Sequence, residues 1–149
     1  MTDRNENRPG YKKTKSGWLP SNWKVSTVGL SCQIKNELRL PLSTEVRKTI
    51  QGEYPYYGPR GILDHIDHCR IKGTYALIAE DGDHFLKFST KPMTLLFSGS
   101  FNVNNHAHVV KGTNCCITEW FFLFFLHRDI YQYITRQGAG RFKLNKDAF

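Results

Sequence analysis

A chain of 149 residues suits one domain and can bury a core without disulfide or metal staples. Hydrophobic residues make up 40%, and Lys plus Arg exceed Asp plus Glu by 21 to 13, a net charge of +8 that favours a polyanionic partner and says nothing about fold. The longest apolar run, residues 120–126, is too short for a membrane-spanning helix, which needs about 20 residues. The N-terminus has no apolar signal region. The four cysteines, Cys32, Cys69, Cys115 and Cys116, are not spaced as a disulfide framework. They predict reduced thiols in a cytoplasm.

Residues 1–15 are polar and basic and read as a flexible leader. Residues 16–23 are compact and aromatic, with Trp18 and Trp23 anchoring the entry of the chain onto the core. Pro20 holds Leu19 extended. Residues 23–28 alternate like a short strand. Residues 35–51 form an exposed connection with a helical turn around 44–49. Pro and Gly punctuate residues 53–61, which predicts a shaped loop. Strands are expected over 62–67, 73–79, 85–88, 93–97 and 101–111, with a turn at Glu80-Asp81-Gly82-Asp83 and another at 98–100. Residues 117–135 change to helical spacing. One helix is expected to about Arg128 and a second, short one from Asp129, a good N-cap. Residues 135–145 form a basic loop bearing Gly138 and Gly140. The sum is an α+β fold with an irregular, strongly bent sheet, a few short helices and long loops.

Residues 101–110, Phe-Asn-Val-Asn-Asn-His-Ala-His-Val-Val, place three amides and two imidazoles in an otherwise apolar segment. Such groups both donate and accept hydrogen bonds. They suit the reading of base edges or a saturated polar network. Zinc is disfavoured: His65, His68, Cys69, His106, His108, Cys115 and Cys116 lack the spacings that structural zinc prefers. A magnesium nuclease would draw on Asp64, Asp67, Glu80, Asp81 and Asp83, but Glu80 to Asp83 reads more simply as an acidic turn. No Walker or dinucleotide motif accompanies the glycines. No catalytic residue, metal or cofactor is therefore expected. A DNA-reading surface fits more residues. Arginine reads guanine bidentately, and Asn or Gln reads adenine. The expected base contacts are Tyr57, Arg60, Asn104, Asn105, His106, His108, Arg136 and Gln137, with Asn102 of the same type. Lys87, Lys111, Arg141 and Lys143 are the expected phosphate contacts, which set affinity. The apolar run 120–126 leaves a second class open, an interaction surface for a partner subunit or a second copy.

Five motifs in order resemble the target-recognition domain of the DNA-specificity subunit of Type I restriction–modification enzymes. Residues 11–23, with Lys13-Thr14, Gly17-Trp18-Leu19-Pro20 and Trp23, are similar to the family's Lys-Thr, Gly-x-(Ile/Leu)-Pro and following Trp. Tyr54-Pro55-Tyr56-Tyr57-Gly58-Pro59-Arg60-Gly61-Ile62 resembles its Tyr-Pro-x-Tyr-Gly-x-x-Gly-Ile loop. Residues 75–82 resemble its strand and acidic-Gly turn, residues 104–109 a segment common in these domains, and Leu144-Asn145 its closing pair. The resemblance covers residues 11–149. It implies non-catalytic, sequence-specific binding of double-stranded DNA in a restriction system, directing methyltransferase and translocating nuclease subunits to a target site. It also implies a single recognition domain over 16–149, without the long spacer helices and second recognition domain of a full subunit. Arg136, Arg141 and Phe142 depart from the smaller or polar residues usual in the closing loop and imply a private specificity. The alternatives are a non-functional or dimerising fragment of such a subunit, and a small metal-dependent nuclease.

Overall fold

The computed structural model describes residues 8–149. Its strands are β1 (Tyr11–Thr14), β2 (Gly17–Pro20), β3 (Cys32–Ile34), β4 (Gln51–Gly58), β5 (Gly61–Ile66), β6 (Ile71–Ala79), β7 (Thr94–Val103), β8 (Ala107–Gly112), β9 (Thr135–Arg136) and β10 (Phe142–Lys143). The α-helices are α1 (Val28–Ser31), α2 (Thr44–Thr49) and α3 (Thr118–Phe125). Six strands form one mixed sheet in the order β3-β8-β6-β7-β4-β5, parallel only between β4 and β7. Two hairpins, β1-β2 and β9-β10, stand outside it. The architecture is α+β.

The sheet is covered on both faces, so β6 reads as an almost unbroken apolar run. Side chains alternate across a strand. Ala76 and Ile78 of β6 therefore join Val110 of β8 on one face, against Phe121 of α3, Phe85, Met93, Ile130 and Leu144. Leu77 of β6 joins Phe101, Val103 and Val109 on the other, against Leu38, Tyr57 and Phe97. On α3, Phe121 is buried and Phe122 and Phe125 pack on the first cluster, while Trp120 and Leu123 remain exposed. Trp120 meets Trp23 edge-on at 5.4 Å.

Several expectations are corrected. Tyr11–Thr14, expected within the flexible leader, pair with β2, and Thr14 Oγ1 closes the turn by donating to Gly17 O. The first seven residues of that leader lie outside the described ones. Residues 23–28 form no strand; the chain runs irregularly into α1. The segment 53–61 is largely strand, because β4 takes partners on both sides, β5 and β7. Ser98-Gly99-Ser100 is no turn but the middle of β7. Gly99 sits opposite Gly73 of β6, both at positive φ (108° and 119°), which glycine alone adopts readily. Residues 85–88 form a 3-10 turn (His84–Lys87) instead of a strand. The span 101–111 is divided between β7 and β8 by a turn at 104–106. The helix from 118 ends at Phe125, and the second helix expected from Asp129 is only a 3-10 turn (Tyr131–Tyr133) whose cap position is Ile130, with Asp129 Oδ1 accepting from Tyr131 N. The expected turn of helix at 44–49 is α2, capped by Ser43.

Candidate nucleic-acid interface

The polar segment that stands out in the sequence sits at the β7–β8 turn. Asn104 creates that turn, its Oδ1 accepting from His106 N at 2.9 Å. Local bonds of this kind compete with a continuing strand. The turn is then tied to three neighbours. Asn104 N donates to Tyr57 O at the end of β4, and Glu80 N, just after β6, donates to His106 O. His106 Nδ1 meets Asp81 Oδ2 at 3.0 Å. The 80–83 turn in turn holds the β9–β10 hairpin: Leu144 N donates to Glu80 O and Gly82 N to Phe142 O. A cavity of about 370 Å3 opens between them, lined by Asp81, Gly82, Gln137, Gly140, Arg141, Phe142 and Lys143. One end of the sheet thus gathers Tyr57, Asn104, Asn105, His106, Gln137, Arg141 and Lys143, far apart in sequence.

At this end Asn105, Gln137, Arg136 and Arg141 are exposed, and no side-chain hydrogen bond or ion pair engages them among the described residues. Arg60, exposed in the β4–β5 connection, is likewise unpaired and lies close enough to buried His84 to help hold its imidazole neutral. Burial is the larger cause of that downward shift. Tyr57 is half-buried and stacked on Phe97, with ring centroids 3.7 Å apart, and burial pushes its hydroxyl pKa up. Its ring packs with Phe97 and Phe101 in the apolar cluster beneath β7, and its backbone carbonyl is what reaches the 104–106 turn. Lys87 is exposed and paired to Asp83 at 2.6 Å, one turn of the 3-10 segment from the cluster.

Other expected contacts turn inward. His108, on the α3 face of β8, is buried. Its Nε2 donates to Leu144 O at 2.6 Å and its Nδ1 accepts from Asn36 Nδ2 at 2.9 Å. No ring nitrogen is left for a base. Asn102 is fully buried, with Oδ1 accepting from Arg70 N and Nδ2 donating to His68 O. Asn104 is buried and spends its oxygen on the turn. Lys111 lies at the opposite end of β8, over the Tyr75 ring at 4.8 Å and donating to Thr74 O. In each case a polar group in a sheet covered on both faces satisfies backbone or core instead of solvent.

Two residues of the site carried no signal as readers. Arg39, in the connection before α2, donates from Nη1 both to Glu80 Oε2 (2.6 Å) and to Asn105 O (3.1 Å). Glu80 also takes Lys143 Nζ on Oε1 at 3.2 Å. Burial pushes the Glu80 carboxyl up, but the hydrogen bonds from Arg39 and Lys143 outweigh it and hold the carboxyl below its usual range. Among the described residues no three His, Cys, Asp or Glu side chains gather where they could hold a metal ion.

The motif order agrees with what the chain is similar to. The family model for the Type I restriction modification DNA specificity domain matches residues 20–149. The chain belongs to this family. A type I restriction enzyme specificity subunit of Haemophilus influenzae is 30% identical over 113 residues, which is 76% of this chain and 28% of that protein. This specificity domain therefore spans little more than a quarter of the relative's length. No solved structure matches it. Each of the five motifs now has a place in the specificity domain. The Tyr54–Ile62 motif builds the end of β4 and its turn, the acidic-Gly motif the 80–83 turn, and residues 104–109 the β7–β8 turn. Three of the five meet at one end of the sheet. The entry motif is the β1–β2 hairpin, and Leu144 of the closing pair is buried against the core.

Proposed function

We propose that this chain binds double-stranded DNA in a sequence-specific manner as the specificity component of a Type I restriction–modification system, and that it directs methyltransferase and nuclease subunits to the site it reads. The observation that carries this reading is a set of side chains without partners among the described residues, Arg60, Asn105, Arg136, Gln137 and Arg141, held at one end of the sheet on a hydrogen-bonded frame. Arg60 and Arg136 suit guanine, and Asn105 and Gln137 suit adenine. His106 keeps Nε2 free for either. Arg141, and Lys87 once released from Asp83, suit phosphate, which sets affinity and register. The frame matters because reading requires donors fixed relative to one another before DNA arrives.

The test is selection from a random duplex library with purified protein at two salt concentrations. A motif of a few base pairs, bound less tightly as salt rises, supports the reading and identifies the site. Salt-sensitive binding to every sequence with no motif overturns it, because a basic surface alone gives that result.

A further inference from the structure

An acidic side chain at the centre of a surface proposed to bind a polyanion needs a reason. Glu80 is one, only 16% exposed, with each carboxylate oxygen taken by a different cation from a different segment. Arg39 comes from the connection before α2, and Lys143 from β10. Arg39 uses the same Nη1 to hold the Asn105 carbonyl, and its Nε donates to Asn36 O. Through Glu80 the 104–106 turn, the 135–143 hairpin and the 35–40 connection share one ionic joint. The backbone of Glu80 joins the same two reading segments again, its N–H to His106 and its carbonyl to Leu144.

Resting on the DNA-reading proposal above, we infer that Glu80 is a positioning residue for sequence discrimination: it sets the spacing between the 104–106 turn and the β9–β10 hairpin, and it withholds Lys143 and Arg39 from phosphate. Its carboxylate touches no base. Its charge trades affinity for any DNA against selectivity for one site. Without it the two segments keep their backbone bonds but lose the ionic joint between their side chains. The cations it held become free to neutralise phosphates, each of which steepens the salt dependence of log K by about 0.9.

Loss of structure and loss of positioning give different results. A merely destabilised protein has a smaller folded fraction, which lowers specific and non-specific binding alike and leaves their ratio unchanged. The experiment is Glu80→Gln in the full chain, taken through the library selection and then titrated with the enriched duplex and with an unrelated duplex across a salt series. The expected result is a specific-to-non-specific ratio at least tenfold lower. Affinity for the unrelated duplex should be equal or higher, with a salt slope steeper by about 0.9 if one freed cation reaches phosphate and by about 1.8 if both do. Arg39→Lys, which keeps the charge and loses the shared contact with Asn105, should lower the ratio with an unchanged slope. It serves if Glu80→Gln does not fold. A wild-type protein that enriches a motif beside an E80Q, or failing that an R39K, that keeps both motif and ratio overturns the positioning role alone. A wild-type protein that enriches nothing overturns DNA reading and this role with it.

Discussion

Two side chains of the polar segment, two residues apart, have opposite fates. His106 is exposed at a turn and pairs with Asp81. Ala107 follows it into β8, and His108 is sealed in the core between Asn36, Leu144 and the Phe149 ring. Burial holds the His108 imidazole below its ordinary value, and the Leu144 carbonyl and Glu80 offset this only in part. The native state therefore keeps it neutral, while the unfolded chain titrates near 6.5. Below that pH the unfolded state binds a proton that the native state refuses, so stability falls as pH drops through about 6.5. Buried His84 acts in the same direction. Urea midpoints should be lower at pH 5.5 than at 7.5, and His108→Gln should flatten that difference while lowering stability throughout. An undiminished pH difference in the variant would show that His108 is not its source. Among exposed residues, Arg60→Ala and Asn105→Ala should each cost about 1–3 kcal/mol of discrimination against the wrong base. Neither should change the melting temperature much, since both side chains are exposed. Unchanged specificity in either variant removes that residue from the reading set.

Elements were legible where a local pattern had one interpretation. The charged run at 44–49 announced the turn of helix that is α2, and the apolar run around Leu77 and Ile78 announced β6. They were illegible where long-range pairing overrode local chemistry. Pro55 and the glycines of 52–61 argue for a loop, yet β5 and β7 recruit the segment as β4. Phe85, Leu86 and Phe88 look like a strand, yet Phe85 is drawn into the core from a 3-10 turn. The seat of α3 depends on a position that composition does not flag. A Cβ on Gly112, at the end of β8, would stand 2.3 Å from Thr118 N and 2.4 Å from Cys116 O. Both are backbone atoms with no cheap way to move, and Gly112 N itself donates to Thr118 Oγ1. Gly112→Ala should therefore destabilise the protein by about 1–3 kcal/mol, as overpacking does. Thermal denaturation measures it, and a melting point equal to wild type would show that α3 can shift without cost.

The charge of the whole molecule is unevenly committed. Of the cations near the reading end, Arg39, Lys87 and Lys143 already hold carboxylates, whereas Arg60, Arg136 and Arg141 hold none among the described residues. Long-range attraction of DNA follows from the net charge, but the salt slope of the bound state counts only the groups that reach phosphate. Arg141→Gln should weaken binding to all duplexes alike and reduce the slope by about 0.9. A selective loss for one sequence would make Arg141 a base reader instead. Charge, length and motif order follow from the chain alone, and with them the α+β class, the family and the residue types able to read DNA. Local composition could not decide which of those residues face outward. A strand's alternation assigns faces only once its register and turns are set, and a turn at 104–106 resets the count between β7 and β8. In a sheet covered on both faces an inward Asn or His is as well satisfied as an outward one. Tertiary pairing therefore kept Asn105 and His106 at the surface, withdrew Asn102 and His108, and brought Arg39 and Glu80 between them.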